Sequence, residues 1–284
     1  MNYQWYPGHM TKARRMMEEN IKLIDLMIEL VDARIPVSSR NPDIHTLGQN
    51  KSRLIVLNKC DLADEKITKE WLAFYESQNV TAVEVNAKQK KGVGQIQSAV
   101  QKACQEKIER DRKRGIIGRP VRAMVVGIPN VGKSTLINAI AGRNTAQTGN
   151  KPGVTKGKQW IRLNKSIELL DTPGILWPKM EDQITGLHLA MIGSMNDEIF
   201  QIEELALDTI KFLQKEYPTL LAARFPSCEG LGESEALKCL EGIAKDRGCL
   251  KKGEELNLEK ASNILLDEFR NGKLGRFTLE RPND

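Results

Sequence analysis

The sequence predicts an α/β fold: a mainly parallel six-stranded sheet with helices on both faces, followed by an all-α C-terminal domain. Three observations lead there. Over residues 1–178, short apolar runs of strand length alternate with helical patterns, as in parallel strands joined by helical crossovers. A glycine-rich stretch, residues 127–134, lies between an apolar run and a helical pattern. Beyond about residue 178 helical periodicity dominates and no strand signal of similar strength appears, so 1–178 and 179–284 are expected to be separate domains.

The elements follow in order. Ala13, Met16, Met17, Ile21 and Ile24 recur at helical spacing, which predicts a helix over 11–24 with Thr11 as its N-cap. The run 26–31 reads as a strand ending at Asp32-Ala33-Arg34. A short helix near 43–49 leads to strand 53–57, and helix 65–77, strand 80–85 and helix 93–112 come next. Charged residues 110–114, with Gly115, Gly118 and Pro120, read as a linker. Strand 121–126 enters the glycine-rich stretch and helix 133–141 leaves it. Residues 143–158 form a polar loop, and strands 159–163 and 166–170 deliver Asp171. The C-terminal part shows helices over 183–194, 200–216, 233–246 and 257–271, punctuated by Pro218, Pro226, Gly230 and Gly232.

Composition narrows the function classes. No apolar run is long enough to span a bilayer. Residues 1–6 lack a basic stretch followed by an apolar core, so no secretory leader is expected and the protein is placed in the cytoplasm. Cys60, Cys104, Cys228, Cys239 and Cys249 have no CxxC spacing, and His9, His45 and His188 lie far apart. That disfavours a zinc site or a disulfide framework and predicts reduced thiols. Residues 1–178 carry 29 Lys and Arg against 17 Asp and Glu, whereas 179–284 carry 14 against 20. A basic N-terminal part suggests a polyanionic partner such as RNA.

Residues 127–134 match G-x-x-x-x-G-K-S in full. Glycines let the backbone wrap a phosphate, with N–H groups pointing inward from Asn130, Val131, Gly132, Lys133, Ser134 and Thr135 and the following helix presenting its positive end. Lys133 would reach the β- and γ-phosphates and Ser134 would ligate magnesium. Asn58-Lys59-Cys60-Asp61 ends an apolar strand. A carboxylate at Asp61 can accept from the N1–H and 2-amino group of guanine, a donor pair that adenine lacks. Asn58 can tie neighbouring loops together, and the stem of Lys59 can cover the ring face. Asn86-Ala87-Lys88 would support the base, with the Ala87 N–H meeting guanine O6. Asp171, at a strand end, could hold magnesium through a water, and the Gly174 N–H could contact the γ-phosphate. Thr155 is the candidate for a second hydroxyl on magnesium, with Thr148 as its competitor.

The order of these motifs is unusual: base motif, then phosphate loop, then metal motif. With Trp5-Tyr6-Pro7-Gly8-His9-Met10, Asp32-Ala33-Arg34-Ile35-Pro36 and Asp171-Thr172-Pro173-Gly174-Ile175-Leu176-Trp177-Pro178, it resembles the circularly permuted GTPases of bacterial ribosome biogenesis. The resemblance covers about residues 3–178 and is looser beyond. It implies a P-loop GTPase fold with circular permutation, and GTP hydrolysis that drives late assembly of the large (50S) ribosomal subunit. Partners would be GTP, GDP, ribosomal RNA and the immature particle, with no membrane involved and the protein a monomer when free. It also implies an RNA-contacting helical C-terminal domain and potassium as an activator beside Asn130. The alternative is a GTP-gated RNA-binding scaffold whose hydrolysis is incidental.

Many GTPases place a water-orienting glutamine after Asp-x-x-Gly; here Ile175 stands there. The permutation cuts the chain between the metal motif and the next strand. The start of helix 11–24, with His9 before it, should then lie near the γ-phosphate. His9 is thus the candidate for positioning the attacking water. Lys12, Arg14, Arg15, Arg34 and Arg40 are expected to line the same edge for RNA. In the C-terminal part, Arg247, Lys251 and Lys252, and Arg270, Lys273 and Arg276 beside Phe277, are candidate RNA contacts.

Overall fold

The computed structural model describes residues 8–142, 159–172, 182–195 and 201–282, without the side chains of 8–13, 43, 45 and 159. The chain divides into two compact units, Met1–Gln183 with Thr278–Asp284, and Ile184–Phe277. The expected helical domain 179–284 therefore loses its last residues, which return to the first unit.

In the first unit the elements are α1 (Gly8–Asn20), β1 (Leu26–Asp32), α2 (Pro42–Leu47), β2 (Ser52–Asn58), α3 (Glu65–Ser77), β3 (Thr81–Val85), α4 (Gln95–Ala103), α5 (Gln105–Lys113), β4 (Val121–Val126), α6 (Lys133–Ala141), β5 (Gln159–Arg162) and β6 (Ile167–Asp171). The six strands form one sheet in the order β3-β2-β1-β4-β6-β5. All neighbours pair parallel except the edge strand β5, which runs antiparallel to β6.

All seven residues of β1 are buried, because a central parallel strand is covered on both faces and needs a nearly continuous apolar run. Glu29 breaks that run. Its Oε2 accepts from Arg40 at 3.2 Å and Arg53 at 2.8 Å, the pairing that a buried carboxylate requires. Helix α3 starts where the Asp64 side chain accepts from the N–H groups of Lys66 and Ile67. It buries Ile67, Trp71 and Tyr75 against Val31, Ile55 and Leu57.

Several boundaries differ from expectation. Helix α1 begins at Gly8, so Thr11 lies inside it and His9 falls in its first turn. It gives way to a 3-10 turn at Ile21–Leu23 before β1. The helix expected over 93–112 breaks at Cys104, whose ψ of 13° is not helical. Beyond the break, Lys107 of α5 reaches Asp25 (3.4 Å) and pairs within its own helix with Asp111 (2.9 Å). Helix α5 runs on to Lys113, so the expected linker shrinks to residues 114–120.

The second unit holds α7 (Gln183–Met191, entering from the first unit at Gln183), α8 (Ile202–Glu216), α9 (Pro218–Arg224), α10 (Ala236–Asp246) and α11 (Leu258–Arg270). Helix α9 was not expected: Pro218 reads as a breaker, but proline is well suited to the first helical position, where its missing N–H would have no partner anyway. Phe212, Tyr217, Phe269 and Phe277 cluster, the last two stacked at 4.0 Å between ring centroids. Cys228 and Cys239 are joined in a disulfide, against the expectation of reduced thiols. The turn at 226–228 packs on α10 and brings them together, a proximity that their eleven-residue spacing does not signal. Among the described residues no helix is long and apolar enough to cross a membrane.

Leu30, fully buried at the centre of β1, reports on this core. Leu30→Ala is expected to destabilise the protein by about 2–5 kcal/mol in urea unfolding followed by fluorescence.

Candidate functional site

Five parallel strands end on the same edge of the sheet. Their carboxyl ends carry Asp32 on β1, Asn58 on β2, Asn86 after β3, Gly127 after β4 and Asp171 on β6. Beyond this edge open α/β sheets bind ligands, where neighbouring connections run to opposite sides. Here β1 lies between β2 and β4, the two strands that carry the base motif and the phosphate loop.

The phosphate loop shows why its glycines stand where they do. A Cβ on Gly127 would sit 2.5 Å from the Leu30 carbonyl oxygen. Gly132 has φ +100°, and a Cβ there would run into the Asn58 amide. Asn130 adopts φ +59°. Lys133 is buried, and its ammonium donates to the carbonyls of Gly127 (3.0 Å) and Ile128 (3.1 Å). Ser134 and Thr135 follow in the first turn of α6, half-buried, where helix N–H groups have no intrahelical partner. Burial pushes the Lys133 ammonium down to about 8, against the pull of Asp171. Asp171 is raised by burial, with the Lys133 charge and the Thr172 N–H opposing. Its Oδ1 is buried without a hydrogen-bond partner among the described residues. The Thr172 hydroxyl anchors the next residue to the Val125 carbonyl at 2.7 Å.

Asn58 is the joint between loops. Its Nδ2 donates to the Val131 carbonyl at 2.7 Å, and its Oδ1 accepts from the Ala87 N–H at 3.1 Å. The Ala87 amide assigned to guanine O6 is thus already engaged inside the protein. The 86–88 loop is closed by Asn86, whose N–H donates to the Lys91 carbonyl and whose Oδ1 accepts from the Gln89 N–H. Lys88 is exposed and Asp61 half-buried. Lys59 adopts φ +60°, and its ammonium meets Asp32 Oδ2 at 3.0 Å.

That last contact belongs to a network the motifs did not announce. Arg34 donates to both oxygens of Asp32, from Nε to Oδ1 and from a terminal nitrogen to Oδ2, each at 2.9 Å. Both side chains are almost fully buried. Burial alone would raise the Asp32 carboxyl. The charges and hydrogen bonds of Arg34 and Lys59 overcome it and hold the group well below the usual carboxylate range. The available signal was a charged Asp-Ala-Arg at the end of an otherwise apolar strand.

This placement removes Arg34 and Arg40 from the RNA-facing candidates; the side chain of Lys12 lies outside the described residues, and Arg15 is exposed. Arg34 is internal, and Arg40 reaches in to Glu29, because each answers a carboxylate on the buried strand β1. Arg14 pairs with Glu18. In the helical unit Phe277 is fully buried in the aromatic cluster and cannot stack on a base. Arg247 pairs with Glu268 at 3.1 Å, Arg270 donates to the carbonyls of Ala190 and Met191, and Lys273 meets Asp267 at 3.2 Å. Lys251, Lys252 and Arg276 remain exposed. The side chain of His9, and all of Thr148, Thr155, Gly174 and Ile175, lie outside the described residues. No group of three or more His, Cys, Asp or Glu among the described residues is placed to hold a metal ion.

Comparison with known proteins identifies the family. A family model described as a 50S ribosome-binding GTPase matches residues 122–223. Ribosome biogenesis GTPase A of Bacillus cereus is 46% identical over all of this chain and 95% of its own length. The chain belongs to the ribosome biogenesis GTPase A family. Its Thermotoga maritima member is 31% identical over 99% of this chain and 95% of its own. Two solved structures of YlqF, one GDP-bound and one GNP-bound and from T. maritima, are each 28% identical, with TM-scores of 0.66 and 0.65. They cover 94% and 96% of this chain and 99% of their own. As a member of the family, the protein is a circularly permuted P-loop GTPase and hydrolyses GTP.

Replacing Asn58 by Ala strands the Val131 carbonyl and the Ala87 amide together. Fluorescent GDP titration is expected to show affinity weakened about 30- to 100-fold, the equivalent of about 2–3 kcal/mol.

Proposed function

We propose that the GTPase cycle drives a switch in late assembly of the large ribosomal subunit, with the protein binding ribosomal RNA on the immature particle in the cytoplasm. The names of its relatives and the description of the matching family model support this reading. So does the excess of basic residues over 1–178. The observation that carries the nucleotide chemistry is the double engagement of Asn58, which binds base motif, phosphate loop and 86–88 loop into one edge.

In this reading Asp61 accepts from the guanine N1–H and 2-amino group, and the stem of Lys59 lies over the ring. The Ala87 N–H is shared between Asn58 and O6, with Asn86 and Lys88 shaping that loop. Amides of residues 130–135 and of Gly174 hold the phosphates. Lys133 releases the Gly127 and Ile128 carbonyls to meet the β- and γ-oxygens. Asp171 Oδ1, without a hydrogen-bond partner among the described residues, and the Ser134 hydroxyl fit magnesium, Asp171 through a water and Thr155 as the further hydroxyl. The ion would neutralise charge on the β- and γ-phosphates. The side-chain oxygen of Asn130 is assigned to potassium, whose charge would favour the transition state.

His9 takes the place of the missing glutamine by polarising the attacking water. Helix α1 leads through the turn at 21–23 into the amino end of β1. Its thirteen residues span about 20 Å, close to the length of the strand it feeds. Antiparallel packing on β1 would return its first turn, with His9, to the nucleotide edge.

Depletion of the protein is expected to accumulate incomplete large subunits on sucrose gradients; a normal profile would overturn the assembly role. In single-turnover assays, incomplete subunits should stimulate hydrolysis. Absence of stimulation would favour a scaffold with incidental hydrolysis. His9→Ala should lower the stimulated rate by about 100-fold or more with GDP affinity unchanged. Rates should be higher in potassium than in sodium, and Asn130→Ala should erase the difference.

A further inference from the structure

The last residues of the chain return to the first unit and make a set of directed contacts that nothing in GTP hydrolysis requires. The Glu280 carboxylate is 7% exposed. It accepts from the Val37 N–H at 2.6 Å and from the Ser38 N–H at 3.0 and 3.2 Å. Two successive amides converging on one carboxylate form a small anion nest. The Leu279 N–H donates to the Arg34 carbonyl at 2.8 Å. The Thr278 hydroxyl accepts from the Asp64 N–H at 3.0 Å, and the Glu280 carbonyl accepts from Trp71 Nε1 at 3.0 Å. Three consecutive residues thus hold the loop after β1, the start of α3 and the Trp71 face of that helix.

Two of these anchor points, Arg34 and Asp64, lead to the base motif. Arg34, held through its backbone by Leu279, fixes Asp32 with two side-chain hydrogen bonds. Asp32 in turn fixes the Lys59 ammonium at 3.0 Å. On the other side Asp64, whose amide is held by Thr278, lies three residues after Asp61 and caps α3. The segment 59–64 is therefore pinned at both ends, at Lys59 through the buried ion network and at Asp64 through the tail.

We propose that Thr278, Leu279 and Glu280 are positioning residues for guanine recognition, holding Lys59 and Asp61 in register with the base through Arg34 and Asp64. The inference rests on the assignment of Asp61 to the guanine N1–H and 2-amino group. It makes base specificity depend on residues more than two hundred positions away in the chain. A tail that served only to stabilise the fold would alter the fraction of active protein but not the preference among bases.

The test compares binding of GDP and IDP, which differ only in the 2-amino group, to the full-length protein. The ratio of the two affinities does not depend on how much protein is folded. Asp61→Ala should collapse the ratio; if it does not, the base-motif assignment fails and this proposal with it. Given that collapse, Glu280→Ala is expected to weaken GDP about tenfold and to lower the GDP/IDP ratio at least about threefold. In turnover assays KM should rise with kcat unchanged, because the tail's anchors at Arg34, Val37, Ser38, Asp64 and Trp71 lie outside the phosphate loop. Thr278→Val, which removes the hydroxyl that accepts from the Asp64 amide, covers the case in which Glu280→Ala fails to fold. It should shift the ratio in the same direction by a smaller factor, and Thr278→Ser should restore it. A wild-type GDP/IDP ratio in the folded tail variants, whatever their stability, would overturn the proposal.

Discussion

The side chain of Asn58 holds the nucleotide edge together. Its amide nitrogen reaches the phosphate loop at Val131, and its oxygen takes the Ala87 N–H. Both ends are spent on backbone groups in a buried setting, where an unmade hydrogen bond is costly. The packing of Gly132 follows from it, since any side chain there would strike this amide. The base motif and the phosphate loop are therefore joined in one assembly. The strand that delivers Asn58 lies beside the central strand β1, so the joint sits on the best-buried part of the sheet.

Circular permutation is compatible with this because sheet neighbours are set by packing, not by chain order. The strand leading to the phosphate loop enters fourth in sequence, yet lies between β1 and β6 in space. All strand ends that carry functional residues still point the same way. What the rearranged order changes is where the chain begins and how it leaves. The chain leaves the GTPase unit after Gln183 and comes back to it at Thr278, whose hydroxyl accepts from the Asp64 N–H. The helical unit is thus tied to the GTPase unit by two covalent connections.

Buried charge is handled twice in the central strand. Glu29 and Asp32, three residues apart on β1, each take two cationic partners, Arg40 with Arg53 and Arg34 with Lys59. Removing one partner from such a group leaves an uncompensated charge, so these clusters constrain the loop after β1 much more tightly than its polar sequence suggests. Arg34 and Arg40, which look available for RNA by count, are consumed in this way.

Much of the fold and of the site was legible in the residues themselves. Strands 26–31, 53–57 and 121–126 are apolar runs of the right length, and each appears as a strand within a residue or so. Helix 65–77 has its cap written at Asp64. The phosphate loop and base motif are local sequences whose chemistry depends on backbone conformation, so residue type alone pointed to them. What tertiary structure decided are the contacts between distant segments. The Cys228–Cys239 disulfide, the burial of Phe277, the engagement of the Ala87 amide and the return of Glu280 to Val37 and Ser38 depend on which elements meet. Periodicity reports which face of an element is buried, not what it is buried against. The amino-acid sequence by itself pointed to a GTPase and to the residues proposed for its guanine nucleotide site. Only the folded chain decided which charges are free to serve it and which are spent on holding it together.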